Sequence, residues 1–337
     1  MHTVAAKVET EVWAGKRVAI TGGLGFIGSN LARRLDDAGA TVSIVDDLNP
    51  YCGGNLANAD GLSGRVQIRY QNVENPDVVA EIAVENDVIF HCAALTSHPG
   101  SMLDPRANIN TNCQGTIQIL EAIKRYNPSC GIVFLGTTSQ FGSLIRQPAD
   151  ETHPEFPLDI YSANKSASEK YALIYSKVHG TRVSVVRLPN VYGPRAAIHS
   201  PDLSFMNFFI GRALGGQTIT VYGEGSQKRS VLHVADAVDA LLAAGSNPAA
   251  VGEVFLAASN KNYSVFELAE AIVATAGKGR VERIPWPALA ASIEIGSLQF
   301  NADKIHKTLG WQPQIGLHDG LRATLLFYRK EIDRYLK

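Results

Sequence analysis

The sequence lacks the features that mark membrane, secreted and metal-binding proteins. No apolar run approaches the about 20 residues that a membrane span needs, and residues 1–15 are polar, without the apolar stretch of a secretory signal. The four cysteines, Cys52, Cys92, Cys113 and Cys130, are scattered and form no CxxC pair. This spacing indicates neither a zinc site nor a disulfide framework. We therefore expect a cytoplasmic protein with reduced thiols, no metal and no membrane partner.

The chain also lacks a charge excess. Its 31 Lys and Arg residues nearly balance its 32 Asp and Glu residues, giving a net charge of −1, and no basic block occurs. A nucleic-acid partner is therefore not expected. With 45% apolar residues, the 337-residue chain can bury a large core.

Short β-rich runs alternate with helical patterns through the first two thirds of the chain. The strand-like runs are 17–21, 41–46, 66–70, 87–94, 131–137, 182–188 and 253–258. Helical patterns begin near Phe26 and cover about 106–126, 161–178 and 234–244. Strand and helix in repeated order, with Val/Ile-rich strands, predict an α/β fold with a doubly wound parallel sheet of the Rossmann type.

The pattern changes after Pro189, where proline and glycine become frequent through 189–230. We predict a disordered polar leader at residues 1–15 and a nucleotide-binding domain formed by 16–188 with about 233–258. A smaller C-terminal substrate-binding lobe would consist of 189–232 with 259–337.

The segment TGGLGFIG (21–28) places glycines directly after a strand and at the opening of a helix. Gly22, Gly25 and Gly28 allow backbone N–H groups to approach a pyrophosphate, with the helix N-terminus facing the anion. Asp46 ends the next strand, where its carboxylate can bind a ribose 2′-hydroxyl and repels a 2′-phosphate. These residues predict a site for NAD rather than NADP. Asn72, after the third strand, is either an adenine contact or an ordinary loop amide.

The segment YSANK (161–165) places Tyr161 and Lys165 four residues apart, on one face of a helix. An ammonium near a phenol favours the phenolate, so we expect a lowered tyrosine pKa. Thr137 ends a central strand, in a run of three hydroxyl side chains followed by Gln140 and Phe141. Together these groups supply a base, its electrostatic support and a hydrogen-bond donor for hydride transfer at a sugar or alcohol carbon.

Several motifs recur in the order found in one family. The ordered motifs are TGGLGFIG (21–28), HCAAL (91–95), YSANK (161–165), RLPNVYGPR (187–195), VYGEGSQKR (221–229) and GWQP (310–313). Over residues 17–335 the chain resembles an extended short-chain dehydrogenase/reductase, and specifically a nucleotide-sugar epimerase. The resemblance implies an NAD cofactor, a nucleotide diphosphate sugar substrate and catalysis by Tyr161, Lys165 and Thr137.

The resemblance also implies further binding residues. For the cofactor these are Gly22, Gly25, Phe26, Ile27, Gly28, Asp46, Asp47, Asn72, Val73, Ala93, Ala94, Asn112, Tyr161 and Lys165. For the substrate they are Thr96, Thr138, Asn190, Arg195, Tyr222, Arg229 and Ser297. Two positions depart from the family: Phe141 stands where tyrosine is usual, and AASIEIGS (290–297) lacks the arginine that grips a diphosphate. Arg195 or Arg229 is the alternative phosphate ligand.

The residues after Thr137 bear on the reaction. Related dehydratases place Asp-Glu there and related decarboxylases a glutamate, whereas this chain has Thr138 and Ser139, which cannot serve as acid and base near neutral pH. The residues favour an epimerase, most simply at C4, that works through a transient keto sugar. The alternatives are another reaction on a nucleotide sugar, namely dehydration, decarboxylation or net oxidation, or a non-catalytic NAD sensor.

Ala163, Ala167, Tyr171, Ile174 and Val178 recur at helical spacing along 161–178. They either pack on the sheet or, as the resemblance implies, join the 106–126 helix in a four-helix homodimer interface.

Overall fold

The computed structural model describes residues 11–288, 291 and 294–336. In chain order, the strands are β1 Arg17–Thr21, β2 Thr41–Val45, β3 Val66–Arg69, β4 Val88–His91, β5 Gly131–Thr137, β6 Arg182–Leu188, β7 Asn190–Tyr192, β8 Thr218–Tyr222, β9 Lys228–His233, β10 Val254–Leu256, β11 Asn262–Ser264 and β12 Arg280–Ile284. The α-helices are α1 Phe26–Asp37, α2 Pro76–Glu85, α3 His98–Leu103, α4 Pro105–Ile109, α5 Gly115–Tyr126, α6 Ile160–His179, α7 Phe205–Leu214, α8 Val234–Ser246, α9 Val265–Ala276, α10 Asp303–Leu309 and α11 Leu317–Glu331. Short 3₁₀ turns cover Leu56–Ala59, Thr138–Phe141, Pro248–Ala250 and Ile332–Arg334, and a π-helical turn covers Asn110–Gln114.

Seven parallel strands form the central sheet, in the order β10-β6-β5-β4-β1-β2-β3. Each of the seven strand-like runs in the sequence contributes one of them, which confirms the predicted doubly wound α/β fold. The order reverses between β1 and β4, and ligands bind beyond the carboxyl ends of the strands at such a switch point.

Apolar side chains cover both faces of this sheet. One face packs against α1 and α8, and the other against α2 and α5. Trp13 joins the first face: its side chain is 3% exposed and its ring centroid lies 5.6 Å from that of Phe90. The expectation of a disordered leader is therefore wrong at Trp13, because this indole has an apolar site to fill. The leader's residues 1–10 lie outside the described part of the chain.

Two smaller sheets lie beyond the central one. The first has the order β11-β9-β7, and the second pairs β8 with β12 in parallel. Helices α7, α9 and α11 pack with them around a separate apolar core. The division of the chain into a cofactor domain and a substrate lobe at the boundaries given above stays a prediction.

Two of the predicted helices show how local pattern and structure compare. The helix expected at 161–178 is α6, which begins after Asp159, whose side chain accepts from the N–H of Ser162. The helix expected at 106–126 is instead α4 and α5 joined by the π-helical turn. The side chain of Asn112 in that turn hydrogen-bonds to Leu95, so a tertiary contact accompanies the interruption.

Candidate functional site

A cavity of about 750 Å³ lies beyond the carboxyl ends of β1, β2, β4, β5 and β6. Its far wall comes from α7, β8 and the segment around Trp286. It has the size of a small-molecule site, and its location is that expected of a ligand site in a doubly wound sheet.

The glycine turn forms one end of this cavity. Gly22 has a φ of +68°, and a Cβ there would lie 2.8 Å from the Cα of Ala93. A Cβ on Gly28 would lie 2.3 Å from the carbonyl oxygen of Gly22, so the helix start is packed directly on the turn. At Gly25, among the described residues beyond its chain neighbours, only that same oxygen lies within 4 Å of an added Cβ, at 3.2 Å. The turn therefore leaves an open backbone cradle that fits the pyrophosphate of a dinucleotide.

Asp46 is positioned by the backbone around it. Its Oδ2 accepts from the N–H of Leu24 and its Oδ1 from the N–H of Leu48, both at 2.9 Å. Burial raises the pKa of Asp46, and these two hydrogen bonds oppose the rise. Asp47 accepts from the side chain of Asn72 at 2.9 Å. All of these carboxyl and amide groups line the cavity, as do Phe26, Ile27, Val73, Ala93 and Ala94.

Asn112 is the one predicted cofactor residue that does not line the cavity. It is buried behind the loop that follows β4, where it accepts from the N–H of Leu95 at 3.0 Å and donates to the carbonyl of Leu95 at 3.1 Å. The expectation of direct cofactor contact is corrected: the amide holds the loop that forms the cavity wall.

The predicted catalytic side chains all line this cavity. Thr137 ends β5 and lies beside the phenol of Tyr161, near the start of α6, where its hydroxyl acts to lower the pKa of that phenol. Lys165 lies one helical turn further along and lines the same cavity, with Nζ 4.0 Å from the centroid of the Phe134 ring. The structure thus brings the three residues together, and their catalytic roles stay predictions.

The expected lowering of the Tyr161 pKa is not found. Burial raises the pKa of Tyr161 to about 12, which outweighs the hydrogen bond from Thr137. Burial also lowers the pKa of Lys165 to about 8. The expectation took an exposed ammonium and phenol as its reference, whereas both groups here are more than nine-tenths buried and lose hydration.

The predicted substrate residues divide into two groups. Thr96, Thr138, Asn190, Tyr222 and Arg229 line the cavity, and Arg195 and Ser297 do not. Arg195 turns away, with Nη1 3.2 Å from Oδ1 of Asn30 and its guanidinium over the ring of Phe327. Ser297 accepts from the N–H of Lys228 at 3.0 Å, while the next residue, Leu298, lines the cavity. Both assignments are corrected, since a motif's order along the chain does not fix which way a side chain turns.

Of the AASIEIGS stretch, residues 290, 292 and 293 lie outside the described chain.

The structure adds cavity residues that the sequence reasoning did not assign. Trp286 packs at 5.4 Å on the ring of Tyr222, and Glu294 pairs with Arg229. Asp159 lies 2.7 Å from Nδ1 of His98, whose ring contacts Tyr161 edge-on at 5.1 Å between centroids. Only Asp159 carried a local signal, as an acidic residue at the start of a helical pattern.

The sequence profile of the NAD dependent epimerase/dehydratase family matches residues 18–258. The chain belongs to this family. As a member it is an extended short-chain dehydrogenase/reductase, an enzyme of the nucleotide-sugar epimerase, dehydratase and decarboxylase superfamily, and its cofactor is NAD. When bound, NAD supplies reversible hydride transfer. Gly22, Gly25, Gly28 and Asp46 are the residues that would hold it.

Relatives of the chain catalyse different reactions. It is 30% identical to UDP-glucose 4-epimerase of Mycolicibacterium smegmatis, over 94% of this chain and 99% of that one. It is also 30% identical to UDP-glucuronic acid decarboxylase 1 of Xenopus tropicalis, over 94% and 73% of the two chains. The structure of Thermotoga maritima UDP-glucose 4-epimerase with UDP-glucose superposes with a TM-score of 0.83 at 26% identity, covering 94% of this chain and 99% of that chain. Family members therefore share the scaffold and differ in chemistry.

Among the described residues, no helix is both long and apolar enough to cross a membrane.

Proposed function

We propose that this family member is a nucleotide-sugar epimerase that inverts one sugar carbon, most simply C4. The observation that supports the proposal is the run of three hydroxyls, Thr137, Thr138 and Ser139, at the strand end beside Tyr161. Elimination of water needs an acid and a base beside the hydride-transfer carbon, and hydroxyls cannot fill those roles near neutral pH. A redox-neutral epimerisation needs only one proton acceptor at the reacting hydroxyl.

In this mechanism, Tyr161 accepts the proton of the sugar hydroxyl and later returns it. Thr137, which lines the cavity beside the phenol, holds the reacting oxygen in line with it. Lys165, when protonated, stabilises the phenolate by its charge. Because Tyr161 and Lys165 are buried and Thr137 is half-buried at the end of the central sheet, bound substrate would exclude water from the reacting centre.

The rest of the cavity suits a nucleoside diphosphate. Tyr222 and Trp286 offer an aromatic wall for a base, and Arg229 offers a guanidinium for phosphate. Asn190 begins β7, just after the end of β6, and lines the cavity, where its amide can donate to the diphosphate. These contacts support a nucleotide diphosphate sugar as the substrate.

The test is incubation of the NAD-loaded protein with UDP-, GDP-, CDP- and dTDP-sugars, with products analysed by chromatography and mass spectrometry. An epimer of unchanged mass is the expected product. Loss of water or of carbon dioxide would assign the protein to dehydration or decarboxylation, and absence of any product from the whole panel would contradict the proposal.

A substitution separates catalysis from mere NAD binding. Tyr161→Phe should reduce turnover by a factor of about 100 or more, since it removes the proton acceptor while leaving the ring. NAD affinity should stay close to that of the unsubstituted protein. Tyr175→Phe, on the same helix and outside the cavity, is the control. A full rate in Tyr161→Phe would remove the phenol from the mechanism.

We also propose that the enzyme is a homodimer. Ile174 and Val178 on α6 are 53% and 66% exposed, and Ile117 on the neighbouring α5 is 37% exposed. These side chains do not pack into the core, which favours their burial against a second copy.

A further inference from the structure

His98 and Tyr161 are held beside each other on the cavity wall. Their ring centroids lie 5.1 Å apart, with the ring planes at 81°. The hydroxyl of Ser101, which is 1% exposed, accepts from the N–H of Tyr161 at 3.0 Å and donates to the carbonyl of His98 at 2.7 Å. This buried bridge joins α3, which His98 begins, to the first turn of α6. The position of the imidazole relative to the phenol is therefore fixed by backbone contacts as well as by ring packing.

Asp159 orients the imidazole. Its Oδ2 lies 2.7 Å from Nδ1 of His98, while its Oδ1 caps α6 by accepting from the N–H of Ser162 at 2.8 Å. Burial raises the pKa of Asp159, but the contacts with His98 and Ser162 outweigh that rise and lower the pKa overall. The carboxylate is thus ionised near neutral pH and can only accept, so Nδ1 of His98 carries a hydrogen.

The other ring nitrogen of His98, Nε2, is left for a ligand. Among residues 11–288, 291 and 294–336, no group hydrogen-bonds to Nε2, and the side chain, which is 40% exposed, lines the cavity. When Nδ1 of a neutral imidazole carries the hydrogen, Nε2 has a free lone pair and accepts. His98 therefore offers the cavity one oriented hydrogen-bond acceptor.

The position of this acceptor favours the sugar over the cofactor. Lys165, a predicted cofactor residue, lies one turn beyond Tyr161 along α6, whereas Asp159 precedes Tyr161. The Asp159–His98 pair is thus on the other side of the phenol from Lys165 along this helix. A sugar that presents one hydroxyl to Tyr161 brings its neighbouring hydroxyls toward the pair.

We propose that Nε2 of His98 accepts a hydrogen bond from a sugar hydroxyl other than the one that reacts at Tyr161. The proposal rests on the proposed function, since it takes a nucleotide diphosphate sugar as the occupant of the cavity. It makes His98 a specificity-determining residue, which selects nucleotide sugars that carry this hydroxyl. Asp159 is a positioning residue, because it acts through the imidazole. His98 takes no proton in this role, so the redox-neutral reaction is unchanged.

The selection has a physical cause. A ligand that fills the cavity removes water from Nε2 of His98, and a buried acceptor that gains no donor in exchange costs free energy. A sugar with hydrogen in place of the hydroxyl supplies no donor. A site built to bind a hydroxyl therefore rejects the analogue that lacks it.

The first experiment tests the tautomer and needs no substrate. In the NAD-bound protein labelled with nitrogen-15 at histidine, NMR at about pH 8 should show a neutral His98 with its hydrogen on Nδ1. The signal is assigned by its loss in His98→Phe. Asp159→Ser keeps a helix-capping side chain but is too short to reach the imidazole, and it should shift the hydrogen toward Nε2. A hydrogen on Nε2 in the unsubstituted protein would overturn the proposal.

The second experiment distinguishes the ligands of the cavity. Calorimetry measures binding of NAD to the free protein, and of UDP and UDP-glucose to the NAD-bound protein. His98→Phe keeps a ring against Tyr161 and removes both nitrogens. It should raise the dissociation constant for UDP-glucose by about tenfold and leave those for UDP and NAD unchanged. If UDP-glucose does not bind, GDP-, CDP- and dTDP-glucose are each compared with their own diphosphate.

The matched control is His179→Phe, because His179 also lies on α6 with its ring 5.0 Å from that of a tyrosine, Tyr175, outside the cavity. It should change no affinity. Asp159→Ser should also weaken UDP-glucose binding, since it leaves the imidazole free to turn, and it keeps the test open if His98→Phe does not fold. Weaker binding of UDP or NAD to His98→Phe, or unchanged binding of UDP-glucose, would overturn the proposal.

Deoxy analogues identify the hydroxyl. UDP-glucose deoxygenated in turn at C2, C3, C4 and C6 is titrated into the unsubstituted protein and His98→Phe. Loss of the hydroxyl and loss of the imidazole should not be additive when the two groups are partners. For one analogue other than that at C4, the two proteins should therefore bind equally. A difference of about tenfold that persists for every such analogue would contradict the hydrogen bond.

The two proposals fail differently. If the nucleotide sugars bind but give no product, the proposed function falls, whereas the affinities still decide the role of His98. If an epimer forms and His98→Phe binds UDP-glucose normally, only the role of His98 falls. Failure of all four glucose conjugates to bind would overturn that role as well. Circular dichroism, measured on each variant, identifies any that do not fold.

Discussion

Arg229 and Glu294 form an ion pair on the wall of the cavity, with Nη2 of the arginine 2.7 Å from Oε1 of the glutamate. The guanidinium also donates to the carbonyls of Lys228 and Gly296. Glu294 belongs to the stretch where related epimerases carry an arginine that grips the diphosphate. A phosphate that reaches Arg229 must therefore compete with a carboxylate already in place.

This competition predicts opposite effects for the two partners. Glu294→Gln should tighten binding of UDP or another nucleoside diphosphate by about threefold, and Arg229→Ala should weaken it by about tenfold. Isothermal titration calorimetry on the NAD-bound protein measures both. Arg283→Ala removes an arginine that is 47% exposed and paired with Glu224 outside the cavity, and it should not change the affinity. Weaker binding in Glu294→Gln would mean that Glu294 supports the site.

Asp46 should determine the choice between NAD and NADP. Its carboxylate lines the cavity next to the glycine turn, where a 2′-phosphate would meet its negative charge. Asp46→Ala should raise the dissociation constant for NAD by about tenfold. It should also bring the dissociation constants for NAD and NADP closer together. Fluorescence titration with each dinucleotide measures this, and Asp60→Ala, whose side chain pairs with Arg334 outside the cavity, is the control. An unchanged preference would place the discrimination elsewhere.

Lys165 should make the stability of the cofactor-free protein depend on pH. Burial lowers its pKa from 10.5 to about 8, so between these values the unfolded chain binds a proton that the folded chain does not. The free energy of unfolding should therefore rise with pH from about 8 to about 10.5 through this group. Denaturant titrations should show that the free energies of unfolding of the unsubstituted protein and of Lys165→Met depend differently on pH over that window. All other titrating groups are common to the two proteins, so their contributions cancel in the comparison. Parallel curves would show that the ammonium is not desolvated.

The exposed apolar residues of α6 should hold the dimer together. Ile174→Asp should convert a dimer into a monomer at micromolar concentration, because it places a charge in an apolar contact. Sedimentation velocity distinguishes the two states. Val84→Asp changes a side chain of equal exposure (53%) on α2 and should leave the dimer intact. A monomer without any substitution would remove the homodimer proposal.

Much of the scaffold was predictable from local pattern. The seven central strands and α6 follow from runs of Val and Ile and from helical spacing, which act within a few residues. The glycine turn was predictable as well, since its backbone demands are met by the glycines themselves. The burial of Trp13 was not predicted, because a single indole in a polar segment forms no repeating apolar pattern.

The sequence by itself determined the individual strands, the dinucleotide turn and the placement of Tyr161 and Lys165 on one face of α6, because each depends on neighbours in the chain. Only the tertiary structure decided that Asn112 supports a loop, that Arg195 turns away, and that both Tyr161 and Lys165 are desolvated. It alone also placed the ring of His98 against the ring of Tyr161. These relationships join groups that are far apart in sequence, and packing, rather than any local preference, sets the distance and burial of such groups.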